Sequence, residues 1–189
     1  GRATAMNMAA NSYIGIDVHP MGFQPVITES CNYDFGDHAF GITSSAGQTA
    51  SSDIWIGTAV TDAEGDYTDG GASLDDGIGV DDEDLTMPNF PVGIATALTV
   101  PVNIPVLSSV SGSTSRVNIF VDWNGDGDVA DTGETLSPQT VASAGTTNLT
   151  FSLTAPVGTT VGTKYLRIRI TEGSTAPAFA GVSNLKGEV

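Results

Sequence analysis

Val117-Asn118-Ile119-Phe120-Val121-Asp122-Trp123-Asn124-Gly125-Asp126-Gly127-Asp128 holds two patterns in one stretch. Its first five residues set Val117, Ile119 and Val121 against Asn118 and Phe120, the period of a strand with one buried face. Its last seven place an oxygen-bearing side chain at every second residue: Asp122, Asn124, Asp126 and Asp128. A chain that leaves a strand and curls tightly aims those oxygens at one point. A hard cation such as calcium, which takes roughly six to eight oxygen ligands at ~2.3–2.6 Å, needs that arrangement. Gly127 follows the third oxygen position, where an EF-hand-type loop turns sharply and glycine is favoured. Asp131 and Glu134 lie downstream, placed to close the sphere. The expected ligands are the side chains of Asp122, Asn124 and Asp126, the main-chain carbonyl of Asp128, and Asp131 or Glu134. Without an ion, the four acids from Asp122 to Asp131 repel one another. The competing reading is a solvated acidic turn.

The strand period recurs through the second half of the chain. From Ile94 to Val106 the even positions read Ile, Thr, Leu, Val, Val, Ile, Val. Pro101 and Pro105 fall on the odd positions and predict an edge strand, a bulge or a break. Leu149, Phe151 and Leu153 alternate with Asn148, Thr150, Ser152 and Thr154. Leu166, Ile168 and Ile170 alternate with Arg167 and Arg169. Each pattern predicts a strand with one buried and one wet face, which puts both arginines in water. Turn-rich segments such as Ser111-Gly112-Ser113 and Ala155-Pro156-Val157-Gly158 separate the runs. No long helical pattern is present, and residues 3–10 predict at most a short helix. The fold class is therefore all-β, an antiparallel β-sandwich of jelly-roll or Ig-like type with long acidic loops and an N-terminal arm.

Residues 1–30 read as the arm, with Ile14, Ile16 and Val18 alternating with Gly15 and Asp17. Residues 31–189 read as one domain, acidic and loop-rich over 31–89 and strand-rich over 90–189. The chain carries 22 acids and 6 bases, a formal charge of −16. Ten of the acids fall between Asp62 and Asp84. Acids at that density are either disordered or neutralised by metal. A structureless loop over 57–93 is uncommon inside a compact domain, and cations can replace a missing apolar core as its cross-link. A second calcium cluster is thus expected from Asp62, Glu64, Asp75, Asp76, Asp81, Asp82 and Asp84.

The same charge excludes partners. Nucleic acid needs Lys and Arg to neutralise phosphate, and anionic membrane surfaces are disfavoured for the same reason. No run of 18 apolar residues exists to span a membrane, so no membrane insertion is expected. No leader-like pattern opens the chain, so any signal peptide is expected to be gone already. Cys31 is the one cysteine, so no intramolecular disulfide forms, and a half-buried small side chain is the simplest role for it.

Several motifs, taken in order, resemble the GEVED domain, a module of large bacterial surface and secreted proteins. Phe120 to Asp128 is similar to the family's Asp-aromatic-Asn-x-Asp-Gly-Asp loop, and Thr132-Gly133-Glu134 to the Gly-Glu that follows it. Leu166-Arg167-Ile168-Arg169 resembles its last-strand pattern, and Gly187-Glu188-Val189 the first letters of its signature. Upstream, Asn32 to Asp37, Ile56 to Glu64, Asp75-Asp76 and Asp81 to Asp84 resemble the steps that precede such a domain. His38-Ala39 stands where Ala-Pro is usual, and Leu85 where Gly-Val is usual. The resemblance spans roughly residues 32–189. It implies a bacterial extracellular β-sandwich, calcium-bound and without catalytic activity.

Rival functions find less in the chain. His19 and His38 are the only histidines, and neither stands in a triad-like or zinc-ligand pattern. No G-x-S-x-G elbow exists, and the acids sit in hydrophilic runs that look like ligand loops. Carbohydrate binding is the stronger rival, since Trp55, Trp123, Tyr67 and Tyr165 are candidate sugar platforms. Trp123 is expected to pack beside the acidic loop instead, and Trp55 in the sandwich. Asn148-Leu149-Thr150 is an acceptor sequon that reads as the exposed face of a strand. The expected function is a secreted, cell-surface, calcium-binding structural or adhesive module whose partners are other surface proteins, other copies of itself, or polysaccharide. In a filament-forming version, the N-terminal strand pairs with the open edge of a neighbouring copy.

Overall fold

The computed structural model describes residues 7–9, 12–19, 22–29, 33–35, 46–61 and 85–189, and of the strands before residue 30 their backbone alone. The chain divides into two compact units, Gly1–Asn32 and Tyr33–Val189. In the first unit, β1 (Asn7–Ala9), β2 (Ser12–His19) and β3 (Gly22–Glu29) form an antiparallel sheet in the order β1-β2-β3. The expected helix over residues 3–10 is therefore replaced by a strand over Asn7–Ala9. The Ile14–Val18 run lies in the central strand, with β1 on one edge and β3 on the other.

The second unit is all-β, with two sheets whose inner faces share one apolar core. It contains β4 (Tyr33–Phe35), β5 (Ala46–Thr49), β6 (Trp55–Ile56), β7 (Thr96–Ile104), β8 (Ser115–Asp122), β9 (Gln139–Val141), β10 (Gly145–Leu153), β11 (Tyr165–Glu172) and β12 (Gly181–Glu188). The smaller sheet runs β10-β7-β6 and the larger β4-β5-β12-β11-β8-β9. Every pair is antiparallel except β5 with β12, which is parallel, a departure from the purely antiparallel expectation. A strand late in the chain thus lies inside the larger sheet, between β5 and β11.

Strands β7 and β10 behave as their alternation predicts. Leu98, Val100, Val102 and Ile104 point into the core with Leu149, Phe151 and Leu153, while Thr99, Asn148, Thr150 and Ser152 are exposed. The pattern overreaches at its ends: Ile94 and Val106 lie outside β7 and are exposed. Pro101 does not break the strand. The Thr150 carbonyl accepts from Gln139, on the side of β10 away from β7, so its register partner region turns the same way from the pair. Accordingly, the Pro101 carbonyl accepts Gly57 N–H at 3.0 Å on the β6 side. The missing proline N–H therefore removes no bond between β7 and β10.

Strands β8 and β11 overturn the simple reading of alternation. Val117, Ile119, Ile168 and Ile170 line the core as expected, yet the opposite face is buried as well. Asn118 and Phe120 lie there, together with Arg167 and Arg169, which are 4% and 2% exposed. Carbonyls of the connection between β11 and β12, and one of β5, meet the two buried guanidinium groups. Arg167 donates to the Phe179 carbonyl at 2.7 Å and stacks on the Phe179 ring at 4.7 Å. Arg169 donates to the carbonyls of Ala178 at 2.8 Å and Gly47 at 3.0 Å. Burial lowers both groups to about 10, still charged at neutral pH, and the Asp34 charge partly offsets this for Arg169. Planar guanidinium donors matched to main-chain carbonyls make such burial tolerable where a lone charge would be expelled.

The two sheets are also joined by a charge. Glu188 faces the core beside Ile170 and is 1% exposed. Its Oε2 accepts Ile56 N–H of the opposite sheet at 2.9 Å and the Thr61 hydroxyl. Before it, Gly187 meets the β11 backbone so closely that a Cβ would lie 2.0 Å from the Ile170 carbonyl oxygen. Only glycine allows that approach. The Gly-Glu-Val stretch thus combines close strand contact, an inter-sheet hydrogen bond and a buried valine.

Candidate metal centre

The acidic loop begins where β8 ends. Val121 is buried in the core, and Asp122, next along the strand, lies opposite Tyr165 and is 6% exposed. The loop returns beside its own origin. Val121 N–H donates to the Glu134 carbonyl at 2.8 Å, Leu136 N–H donates to the Ile119 carbonyl at 3.0 Å, and Phe120 bridges to Thr135. Residues 122–134 are therefore held at both ends by the larger sheet.

Asp122 curls the first half. Its Oδ1 accepts Gly125 N–H at 2.6 Å and its Oδ2 accepts Gly127 N–H at 2.9 Å. Both glycines have left-handed backbones, with φ of 82° and 88°, which turns their amides toward the aspartate. The next oxygens act in relay. Asn124 Oδ1 accepts Asp126 N–H at 3.0 Å, Asp126 Oδ1 accepts Asp128 N–H at 3.1 Å, and Asp128 Oδ1 accepts Ala130 N–H at 2.9 Å. These are three successive Asx turns, each using a short acid or amide to satisfy backbone that has no strand partner.

Glu134 closes the second half. It is buried, its Oε1 accepts Trp123 N–H at 2.9 Å, and its Oε2 accepts Asp131 N–H at 3.2 Å. The Trp123 indole N–H donates to the Gly133 carbonyl at 3.1 Å, and its ring meets Phe90 edge to face with centroids 5.9 Å apart. Trp123 is thus core beneath the loop, as expected, and is not available as a sugar platform. Trp55 is half-buried on the outer side of the smaller sheet.

The exposed side chains converge in part. Asn124 Nδ2 donates to Asp126 Oδ2 at 2.8 Å and to Asp131 Oδ2 at 2.7 Å, so carboxylates from opposite ends of the loop meet at one nitrogen. Among the described residues, no three His, Cys, Asp or Glu side chains gather as metal ligands. The donor chemistry nonetheless fits a hard cation. The groups are carboxylate and amide oxygens, two carboxylates already share one point, and no Lys or Arg lies between Arg116 and Lys164 to neutralise them. Of the expected ligands, Asp122 and Glu134 are buried at the rim, while Asn124, Asp126, Asp128 and Asp131 are exposed along the loop. Asp62, Glu64, Asp75, Asp76, Asp81, Asp82 and Asp84 lie outside the described residues.

Sequence reasoning missed the anchoring roles of Asp122 and Glu134. The signal was present: glycines three and five residues after Asp122, and a second acid just before the chain resumes strand pairing. The chain matches no curated protein and no solved structure. A family model, the GEVED domain, matches residues 116–189, which take in β8 to β12 and the whole acidic loop. Over residues 116–189 the chain is thus similar to the GEVED domain family.

Proposed function

We propose that this chain is a non-enzymatic extracellular module of a bacterium, structural or adhesive, whose 122–134 loop binds calcium. One observation carries the reading: within the family-matched region, an all-oxygen loop is fixed at both ends to the larger sheet, and two of its carboxylates converge. Asp122, Asn124, Asp126 and Asp131 would hold the ion, with Glu134 and the Asp128 carbonyl beside them. Calcium would supply neutralisation of clustered acids and a rigid cross-link, so the loop would stiffen where the domain meets its surroundings. The finer fold reading supports a module of this kind. The orders β6-β7-β10 and β12-β11-β8-β9 follow the A-B-E and G-F-C-C′ sheets of an Ig-like sandwich. In the filament reading the Ile14–Val18 run would offer a neighbouring copy the edge away from β3, since β1 pairs only with Ser12 and Tyr13 of that strand.

Isothermal titration of calcium into the full chain tests the proposal. Heat of binding is expected for the wild type in millimolar calcium, and Asp126→Ala should lose one event or weaken it about tenfold or more. No binding by the wild type at millimolar calcium would refute it.

A further inference from the structure

The two sheets of the second unit have four edge strands among the described residues: β4, β6, β9 and β10. Three are short, with β4 and β9 of 3 residues and β6 of 2. The fourth, β10, has 9 residues paired to β7 in unbroken register. Short length, charge, proline and bulges are the usual ways an edge avoids pairing with another chain, and β10 has none of them. Its sequence is Gly-Thr-Thr-Asn-Leu-Thr-Phe-Ser-Leu. In an Ig-like sandwich this strand would be covered by a neighbour, strand D. Here only Ala142 to Ala144 separate β9 from β10, which leaves no length for such a strand.

Charge distribution points the same way. Residues 85–115 and 135–163 contain no Asp, Glu, Lys, Arg or His, although the chain as a whole carries −16. These two runs supply β7, β10 and their connections. The outer face of the pair consists of Thr99, Pro101, Asn103, Thr146, Asn148, Thr150 and their small neighbours. Like charge opposes association of so acidic a chain, and the described residues of this side add none to it.

We infer that β10 is an association edge whose partner is β10 of a second copy of this chain. Two copies related by a two-fold axis would pair these strands antiparallel and join β6-β7-β10 to its counterpart in one six-stranded sheet. Thr146, Asn148, Thr150 and Ser152 turn their main-chain groups outward and would form the ladder. Period-two alternation then lines up apolar residues inside and hydroxyl and amide groups outside across the junction. Gln139 Nε2, which donates to the Thr150 carbonyl at 2.8 Å, guards this edge and must yield one bond.

Sedimentation velocity of the full chain over increasing concentration, in calcium and in chelator, tests the inference separately from calcium binding. A monomer–dimer equilibrium is expected for the wild type. The doubly substituted variants Asn148→Lys/Thr150→Lys and Asn148→Asp/Thr150→Asp place like charges face to face, and each should dimerise at least about tenfold more weakly. Mixing the two variants should restore dimers, which a merely structural role of these positions would not produce. Amide exchange on the wild type gives a second readout: Asn148, Thr150 and Ser152 should gain protection as concentration rises. A wild type that stays monomeric with no such gain would overturn the inference. So would oligomers that both variants leave intact, since another surface, such as the N-terminal strands, would then be responsible.

Discussion

Strands β7 and β10 turn one face to water, whereas β8 and β11 turn neither. All four show the same alternation in sequence, and all four send their alternating aliphatic residues into one core. The difference lies in what covers the second face. Over β7 and β10 nothing among the described residues does, and the outward residues are small, neutral and exposed or half-buried. Over β8 and β11 the Gly173–Ala180 connection folds across, and Phe179 packs on Phe120 with centroids 5.5 Å apart. Alternation therefore shows which residues face the core but not whether the other face is wet. That depends on whether a distant segment can satisfy the polar groups it covers.

The contrast is broken most severely at Arg169. Arg169→Ala should destabilise the protein by about 3–5 kcal/mol, because it leaves a cavity and strands the Ala178 and Gly47 carbonyls. Thr99→Ala, on the wet face, should stay within about 0.5 kcal/mol. Urea denaturation of the two variants measures both, and equal effects would erase the distinction.

A smaller but still clear effect is expected between the sheets. Glu188→Ala removes the acceptor for Ile56 N–H and the Thr61 hydroxyl, and should cost about 2 kcal/mol. Amide exchange at Ile56 should accelerate in the variant while Leu149 and Phe151 keep the protection of the global fold.

The smallest effect separates a buried charge from a half-exposed one. Lys186 Nζ lies 2.6 Å from Asp53 Oδ2, and each side chain is about a third exposed. The hydrogen bond from Lys186 is the main cause that holds the Asp53 carboxyl below its usual value of 3.8. Its contribution is therefore present above that pH and lost as pH falls through the lower, folded value. Solvent screening limits it to well under about 1 kcal/mol. Acid denaturation of Asp53→Asn against wild type should show a small stability gap near neutrality that closes below pH 3.8.

Much of this architecture is legible in the sequence, and the illegible parts share a cause. The strands β7, β8, β10 and β11 announce themselves because each buries a full apolar face. The loop is legible because metal-type spacing is local. β5 is Ala-Gly-Gln-Thr and β12 is Gly-Val-Ser-Asn-Leu-Lys-Gly-Glu, and neither alternates. They are strands because of what flanks them, with parallel partners more than a hundred residues apart in sequence. The buried arginines were misread for a related reason: their acceptors, Gly47, Ala178 and Phe179, are invisible to a local pattern. Glu188 was legible only as a letter in a family resemblance. Its meaning lies in Ile56, on the other sheet.

The interior position of β12 has a consequence for how the protein is made. A ribosome releases β5 and β11 before Gly181–Glu188, the strand that stands between them. Until that strand emerges, β5 has only the three-residue β4 beside it, and the bond from Ile56 to Glu188 does not exist. The growing chain can collapse and form its local hairpins, but the larger sheet stays divided. Its completion waits on the longest loop closures in the domain, which are also the slowest to form. The larger sheet is therefore sealed only once β12 has emerged, and until then the domain stays open between β5 and β11.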